Sequence, residues 1–171
     1  MIKTERLDLL MLTREDLAVG ILSLPQLARR LNLILVPELL TGATRRAVEK
    51  KLLRMEGVTP EQTPWFTYWL IVIRAEGVGA GIIGYKGAPN ARGEVEIGYG
   101  IDPLYRSKGY MTEAVKAMLA WAFHEPACKV VTAILSAPDN YASHRVLEKS
   151  GFQKYYEATD GLSFRIERTH V

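Results

Sequence analysis

Apolar residues recur along this chain with two different periods, and the change of period separates candidate strands from candidate helices. Alternation of apolar and polar residues, or a short run rich in β-branched and aromatic residues, predicts a strand, whereas apolar residues three and four positions apart predict a helix. The order of elements is β-α-α-β-β-β-α-β-α-β-β, which predicts an α/β (α+β) domain with a mixed, mostly antiparallel sheet flanked by helices. The predicted strands are 6–12, 65–73, 80–88, 94–101, 129–135 and a closing hairpin around 159–161.

Start and stop signals bound the predicted helices. The segment Thr13–Asp16 has the form of a capping box and should open the first helix. Pro25 and Pro37 interrupt the apolar stretch that follows, so that stretch is predicted to be a helix and a loop rather than one long helix. Asp139 or Asn140 should cap the last helix. The predicted helical segments after the first are 22–42 in part, 44–55, 109–123 and 138–151.

Length, composition and charge limit the possible classes of protein. The 171 residues, 48% of them apolar and 24% charged, predict one domain, 1–171, with a sizeable core. The net charge of +3 is too small to indicate nucleic acid, and the chain has no block of Lys and Arg. A mild positive charge does suit a small anionic partner.

Cysteine usage and apolar run length bear on the compartment. The single cysteine, Cys128, cannot form an intramolecular disulfide and suits a reducing cytosol. The first ten residues show no signal-peptide pattern, and an apolar run such as 69–73 is far shorter than the roughly 20 residues of a membrane span. We therefore expect a cytoplasmic protein with no membrane partner.

Two familiar site patterns are absent or misleading. The segment Gly79–Gly84 matches the dinucleotide-binding pattern G-x-G-x-x-G, but that pattern needs a helix after it, and here a turn and a strand follow. Glycines of a hairpin are the favoured interpretation. His124, His144 and His170 have no Cys or His partner at ligand spacing, so no metal site is expected.

The segment Tyr105–Ala114, YRSKGYMTEA, places two cations and a glycine at the start of a predicted helix. A helix N-terminus has unpaired N–H groups and a partial positive charge, so it attracts anions. Gly109 allows a bulky phosphate to approach the backbone, and Arg106 and Lys108 add positive charge. By composition alone, a solvated turn remains the alternative to a phosphate site.

The same segment resembles the pyrophosphate loop R/Q-x-x-G-x-G/A of the GNAT superfamily of acyl-CoA-dependent N-acetyltransferases. Thr4–Leu17, Glu96–Phe123 and Asn140–Phe152 are similar to three successive regions of its ribosomal-protein N-terminal acetyltransferase (RimJ/RimL-like) branch. The resemblance covers nearly the whole chain. It implies a central sheet of about seven strands, splayed between the fourth and fifth, with about four helices, and acetyl-CoA as cosubstrate without a metal.

The resemblance also implies which residues hold the cosubstrate. Backbone groups of Gly100 and Ile101 would bond the pantetheine arm, and Asn140 would bond it from the other side or serve only as a helix N-cap. Met111 departs from the family pattern, because a Gly or Ala is usual there; a larger side chain could crowd the phosphates, but backbone N–H groups should do most of the binding. The residues implied for the pyrophosphate are Arg106, Ser107, Lys108, Gly109, Tyr110, Met111 and Thr112.

The implied reaction is attack of an amine on a thioester. An alkyl amine is protonated at neutral pH, so a base must remove its proton. Glu96 lies on the strand that would hold the cosubstrate, at or near the position where family members with a catalytic glutamate carry it. Glu94 shares its strand face and is the reserve candidate. Both could equally be exposed strand charges. The Ile101 N–H would stabilise the negative charge that develops on the acyl oxygen.

The leaving thiolate would accept a proton. Many members of the superfamily use a Tyr seven residues after the Asn, but Leu147 occupies that position here. The branch that the chain resembles has a Ser three residues after the Asn, which is Ser143. That serine could instead be an ordinary residue of a first helical turn, and Tyr141 is a weaker alternative.

The sequence says less about the identity of the acceptor amine than about the cosubstrate site. The apolar stretch 22–42, with Trp65 and Phe66, is predicted to form the acceptor wall or, as the favoured alternative, a core helix or dimer contact. A protein N-terminus or a small amine would be acetylated by direct transfer in a ternary complex, by a monomer or homodimer. A non-catalytic acyl-CoA-binding module and a nucleic-acid-binding domain are the rival hypotheses; the second lacks a basic stripe.

Overall fold

The computed structural model describes residues 1–135, 140–158 and 161–168. The strands in these ranges are β1 (Ile2–Lys3), β2 (Leu7–Met11), β3 (Ile34–Leu35), β4 (Tyr68–Ile73), β5 (Val78–Tyr85), β6 (Glu94–Ile101), β7 (Val130–Leu135), β8 (Gln153–Ala158) and β9 (Gly161–Glu167). The helices are α1 (Arg14–Leu22), α2 (Leu24–Leu31), α3 (Gly42–Arg54), α4 (Thr63–Phe66), α5 (Tyr110–His124) and α6 (Tyr141–Lys149), and a 3-10 turn covers Pro103–Tyr105.

The strands form one open sheet in the order β1-β2-β4-β5-β6-β7-β9-β8, with β3 beside β5. Only the pairs β6–β7 and β3–β5 are parallel, so the predicted mixed and mostly antiparallel α/β sheet is confirmed. The described residues contain nine strands and six helices rather than about seven and four. The two-residue strands β1 and β3 and the four-residue helix α4, which is one of the two additional helices, are too short to show a period.

The two faces of the sheet are covered by different helices. The Tyr85 hydroxyl of β5 donates to the Met118 carbonyl at 2.8 Å, so α5 covers the face of the sheet that carries the Tyr85 side chain. The next residue, Lys86, points to the opposite face, where the Arg54 guanidinium of α3 donates to its carbonyl at 3.3 Å. Helix α1 packs against both α3 and α2.

The predicted strand at 65–73 begins later than expected. The chain forms the helix α4 first, with Pro64 in its first turn, and β4 starts at Tyr68. Trp65 is 7% exposed and packs on Trp121 of α5, with 4.5 Å between the ring centroids. Its apolar surface therefore belongs to the core.

Several local signals in the sequence are realised in the structure. The Thr13 hydroxyl accepts from the Asp16 N–H while the Asp16 carboxylate accepts from the Thr13 N–H, which completes the predicted capping box. Asn140 is the N-cap of α6; Asp139 and the turn residues Thr159 and Asp160 lie outside the described ranges. The glycines at 79–84 lie within β5, as the hairpin interpretation predicted.

None of the helices in the described part of the chain is long and apolar enough to cross a membrane. The described ranges also hold no cluster of three or more His, Cys, Asp or Glu residues that could bind a metal ion.

Candidate functional site

Strands β6 and β7 separate after a short parallel contact. They pair only from Glu94 to Glu96 of β6, opposite Val130–Thr132 of β7. Beyond this point β6 runs on to Ile101 paired with β5 alone. The predicted splay is therefore confirmed, and it leaves one edge of β6 open.

Antiparallel pairing decides which backbone groups of β6 face this opening. The Lys86 N–H donates to the Glu96 carbonyl, and residues two apart repeat the pattern, so Gly100 is hydrogen-bonded to Ile82 of β5. The N–H of Ile101 therefore points away from β5, towards the opening. Of the two residues predicted to bind pantetheine, only Ile101 presents its backbone groups to the opening. The backbone groups of Gly100 face β5, and because Gly100 has no side chain it leaves space beside the strand.

The segment after β6 forms a nest of unpaired N–H groups. Within the described ranges, six consecutive backbone N–H groups, from Ser107 to Thr112, donate to no acceptor of the chain. Ser107 and Gly109 have positive φ angles of 60° and 81°, which turn the backbone into a loop before α5 starts at Tyr110. Successive N–H groups at a helix N-terminus bind anions such as a phosphate.

The loop also has cations available. The Arg106 side chain makes one long contact, 3.4 Å from Nε to the Ile101 carbonyl. The Lys108 ammonium lies 5.1 Å from the centre of the Tyr105 ring. Neither cation has a carboxylate within 4.0 Å in the part of the chain that is described, so both charges remain available to an anion.

Arg6, just before β2, fixes the loop from outside. Its Nε lies 2.7 Å from the Glu113 carboxylate, and its Nη1 donates to the Lys108 carbonyl at 2.9 Å. Its guanidinium also lies 4.7 Å from the centre of the Tyr110 ring. The pKa of Glu113 is lowered, because hydrogen bonds from Thr4 and Arg6 outweigh burial, which acts to raise it.

The side chain of Met111 does not crowd the loop. It is 7% exposed and belongs to the apolar core. Because this side chain is buried, Met111 presents only its backbone N–H to the nest, and the departure from the family pattern does not block the candidate anion site.

Helix α6 forms the opposite side of the opening. The Asn140 Oδ1 accepts from the Ser143 N–H at 3.1 Å, and the Tyr99 hydroxyl of β6 donates to the Ser143 carbonyl at 3.4 Å. In the described structure the Asn140 amide nitrogen and the Ser143 hydroxyl have no hydrogen-bond partner. Asn140 is thus an N-cap that still has donors free. Leu147 is fully buried, and Tyr141 is 71% exposed.

The two candidate bases differ in their surroundings. The Glu96 carboxylate lies 2.5 Å from the Lys86 ammonium, and its side chain is 21% exposed. The Glu94 carboxylate is held in the preceding turn, 3.1 Å from both Asn90 Nδ2 and Arg92 Nε. Glu96 is also two residues closer than Glu94 to the open part of β6.

A basic cavity beside Glu96 was missed by sequence reasoning. Its volume is about 300 Å³. The stretch 22–42 and Trp65 do not line this cavity. Trp65, Leu27, Leu39 and Leu40 lie in the core, as the favoured alternative for that stretch predicted. One pattern in the sequence could have indicated this cavity, namely the four-residue spacing of cations along α3. The lining residues are Ala43, Arg46, Ala47, Lys50, Lys51, Arg54, Tyr68 and Lys86.

Lys51 is the buried member of this cavity. Its side chain donates to the carbonyls of Tyr85 and Thr67 and lies 4.4 Å from the centre of the Tyr68 ring. Burial, with smaller contributions from the neighbouring charges of Arg54 and Lys86, lowers the pKa of Lys51 to about 7. The pKa of the Tyr68 hydroxyl is raised, chiefly by burial.

The family follows from this fold and site. The model of the acetyltransferase (GNAT) domain matches residues 6–153. The chain belongs to the GNAT acetyltransferase family, as its motifs predicted.

Individual proteins are similar to the chain in sequence or in structure. An uncharacterised N-acetyltransferase of Bacillus subtilis, YjdG, is 34% identical over 90 residues, which cover 53% of each protein. The chain thus matches about half the length, or less, of its curated relatives. The ribosomal-protein-S5-alanine acetyltransferase of Vibrio fischeri has a TM-score of 0.65 at 18% identity, covering 96% of this chain and 94% of that one. The ribosomal L7/L12 α-N-protein acetyltransferase RimL, in complex with coenzyme A, has a TM-score of 0.64 at 16% identity, covering 96% and 95%. Identities this low show a shared fold.

Proposed function

We propose that this chain is an acetyl-CoA-dependent N-acetyltransferase that transfers acetyl to a primary amine by direct attack in a ternary complex. The observation that carries the proposal is the row of six unpaired N–H groups from Ser107 to Thr112 at the end of an open strand edge. A linear ligand with phosphates at one end and a thioester at the other matches this combination of nest and edge. Acetyl-CoA supplies the activated acetyl group.

The phosphate end would be held at the start of α5. The backbone N–H groups of Ser107, Lys108, Gly109, Tyr110, Met111 and Thr112, with the Arg106 and Lys108 charges, would bind the pyrophosphate. The pantetheine arm would lie between β6 and α6. There the Ile101 backbone and the Asn140 amide would bond it from opposite sides, and Gly100 would leave room for it.

Glu96 would remove the proton of the attacking amine, directly or through a water molecule. Its ion pair with Lys86 keeps the carboxylate in place beside the open part of β6. Glu94 remains the reserve candidate. The Ile101 N–H would stabilise the charge that develops on the acyl oxygen, since it faces the opening.

Ser143 would donate a proton to the leaving sulfur. Its hydroxyl makes no bond to another group of the described chain, and its backbone is fixed by Asn140 and Tyr99. A thiolate is a fair leaving group without help, so we expect replacement of Ser143 to slow the enzyme rather than to stop it.

The wider assignments follow the same proposal. The chain would act as a single domain of the RimJ/RimL-like branch, in the cytoplasm, as a monomer or homodimer. Its partners would be acetyl-CoA and an amine acceptor, either a protein N-terminus or a small molecule, without metal, nucleic acid or membrane.

The test is a comparison of Glu96→Gln with the parent protein. Steady-state acetylation should fall by about 10²–10⁴-fold, because general base catalysis contributes that much, while acetyl-CoA affinity measured by calorimetry stays within twofold. Glu94→Gln is the matched control and should keep most of the activity. Full activity of Glu96→Gln would remove the assigned role.

The rival hypothesis is a non-catalytic acyl-CoA-binding module. It predicts acetyl-CoA binding with no acetylated product from any amine. In that case Glu96→Gln would change nothing measurable, whereas Gly109→Pro would abolish binding.

A further inference from the structure

The basic cavity beside Glu96 lies along the path that an acceptor would take. Helix α3 lies on the face of the sheet that carries Glu96. Its first turn is near Gly100, where a Cβ would lie 4.0 Å from the Thr44 hydroxyl, and its last turn contacts the Lys86 carbonyl through Arg54. A Cβ at Gly98 would meet nothing within 4 Å. The surface of β6 between Glu96 and the opening of the sheet is therefore formed by Gly98 and Gly100 and carries no side chain that would block a ligand.

The walls of this cavity carry one sign of charge. Arg46, Lys50 and Arg54 repeat at intervals of four along α3, so they form one stripe, and like charges at this spacing repel. Arg46 and Lys50 are exposed and have no carboxylate partner in the described ranges. A helix face with only a structural role commonly offsets such repulsion with acids of the opposite sign.

Little on the site neutralises this charge. The Lys86 ammonium is paired with Glu96, and Lys51 lies behind it with only carbonyl partners. None of the cavity-lining residues is an acid. A concave surface lined with cations concentrates anions and repels cations.

We propose that the acceptor is a primary amine whose molecule carries a carboxylate or phosphate close to the amine. The inference rests on the proposed function and names its substrate class. The anionic group would bind Arg46 and Lys50, and the amine would then reach Glu96 over the surface formed by Gly98 and Gly100. Polycationic amines are excluded by the same charges.

The cavity volume of about 300 Å³ admits a small molecule or the first residues of a peptide. Both sources share the chemistry of an amine next to an anion. Matched acceptor pairs separate them: phosphoethanolamine against ethanolamine, and an Ala-Asp-Glu peptide against Ala-Asn-Gln and Ala-Lys-Lys. We expect kcat/KM to be at least tenfold higher for the anionic member of one pair or of both, and the pair that responds identifies the source.

The charge-reversed variant Arg46→Glu/Lys50→Glu tests the assignment of residues. Two exposed charge contacts are lost and replaced by repulsion, so KM for the anionic acceptor should rise about tenfold or more while acetyl-CoA affinity is retained. Lys116→Glu/Lys149→Glu is the matched control, since it makes the same change of net charge on exposed residues of α5 and α6. The control should keep the parent KM.

The outcomes distinguish this inference from the function on which it rests. Absence of acetyl-CoA binding, or of acetylation of any amine, would overturn the proposed function and the inference with it. Acetylation with equal or better kcat/KM for neutral or cationic acceptors would overturn the inference alone. An equal rise of KM in the control variant would show a general effect of net charge and would overturn the assignment of Arg46 and Lys50 as the residues that bind the anionic group.

Discussion

Replacement of Lys51 by Met tests whether the buried ammonium of the cavity has the surroundings described. Lys51 is 6% exposed, and within the described residues its amine bonds only to the carbonyls of Tyr85 and Thr67. Burial lowers its pKa from the ordinary 10.5 to about 7. Met has a similar length and no charge, so the variant removes the titrating group and leaves most of the packing.

The sign of the effect follows from the direction of the pKa shift. Below pH 7 the lysine is charged in both the folded and unfolded states, and the full cost of burying that charge is present. Between pH 7 and 10.5 the unfolded state binds more protons than the folded state, so the free energy of unfolding of the parent rises with pH. Above pH 10.5 the cost has disappeared.

The magnitude comes from the same shift. The slope approaches 1.36 kcal/mol per pH unit inside the window. We therefore expect the parent to gain about 2–3 kcal/mol relative to Lys51→Met between pH 7 and pH 9.5. The variant also loses two hydrogen bonds, which contribute about 1–3 kcal/mol each to the free energy of unfolding. This loss is independent of pH and displaces the whole difference curve by a constant amount.

Urea unfolding of both proteins at half-unit pH steps measures this difference. Groups other than Lys51 titrate in both proteins, so their contribution cancels. Lys50→Met, at an exposed lysine of the same helix, is the control with which the pH dependence of Lys51→Met is compared. A flat difference curve for Lys51→Met would refute the burial of an unpaired ammonium in this cavity.

Three further outcomes are expected. Gly109→Ala forces a left-handed φ on a residue with a side chain, so unfolding stability should fall by about 1–2 kcal/mol in a thermal scan and acetyl-CoA should bind more weakly; unchanged stability would contradict the φ of 81°. Arg6→Ala removes the contacts to Glu113 and the Lys108 carbonyl, so acetyl-CoA affinity measured by calorimetry should fall about tenfold. An unchanged affinity would show that the loop keeps its conformation without Arg6. Cys128 is fully buried and its pKa is raised to about 11, so a disulfide reagent at pH 8 should label it only in urea; fast labelling of the native protein would contradict the core.

The sequence predicted most of the sheet because its strands have strong local signals. The strand at 94–101 alternates strictly, and the structure gives it the same bounds. The order of the elements followed from the turns between them. The loop at 105–112 could be predicted because a helix start, a glycine and two cations lie within eight consecutive positions, so no long-range contact is needed to bring them together.

The acceptor side could not be predicted in the same way, since it depends on which helix face meets the sheet. Arg46, Lys50 and Arg54 lie on one stripe of α3, a spacing visible in the sequence, but the partner surface comes from Lys86 and Glu96, more than 30 residues later. Trp65 shows the reverse case, in which an aromatic residue expected near the acceptor is buried against Trp121. Short-range patterns do not determine such packing.

The most direct test of the account is calorimetric titration of the protein with acetyl-CoA, with NAD as the control ligand. We expect one site of micromolar affinity, no response to NAD, and loss of at least tenfold in affinity for Arg106→Ala/Lys108→Ala. The control variant Lys116→Ala/Lys149→Ala should bind as the parent does. Absence of acetyl-CoA binding, or equal binding by the loop variant, would contradict the assignment of residues 106–112 as the phosphate site and the enzyme function built on it.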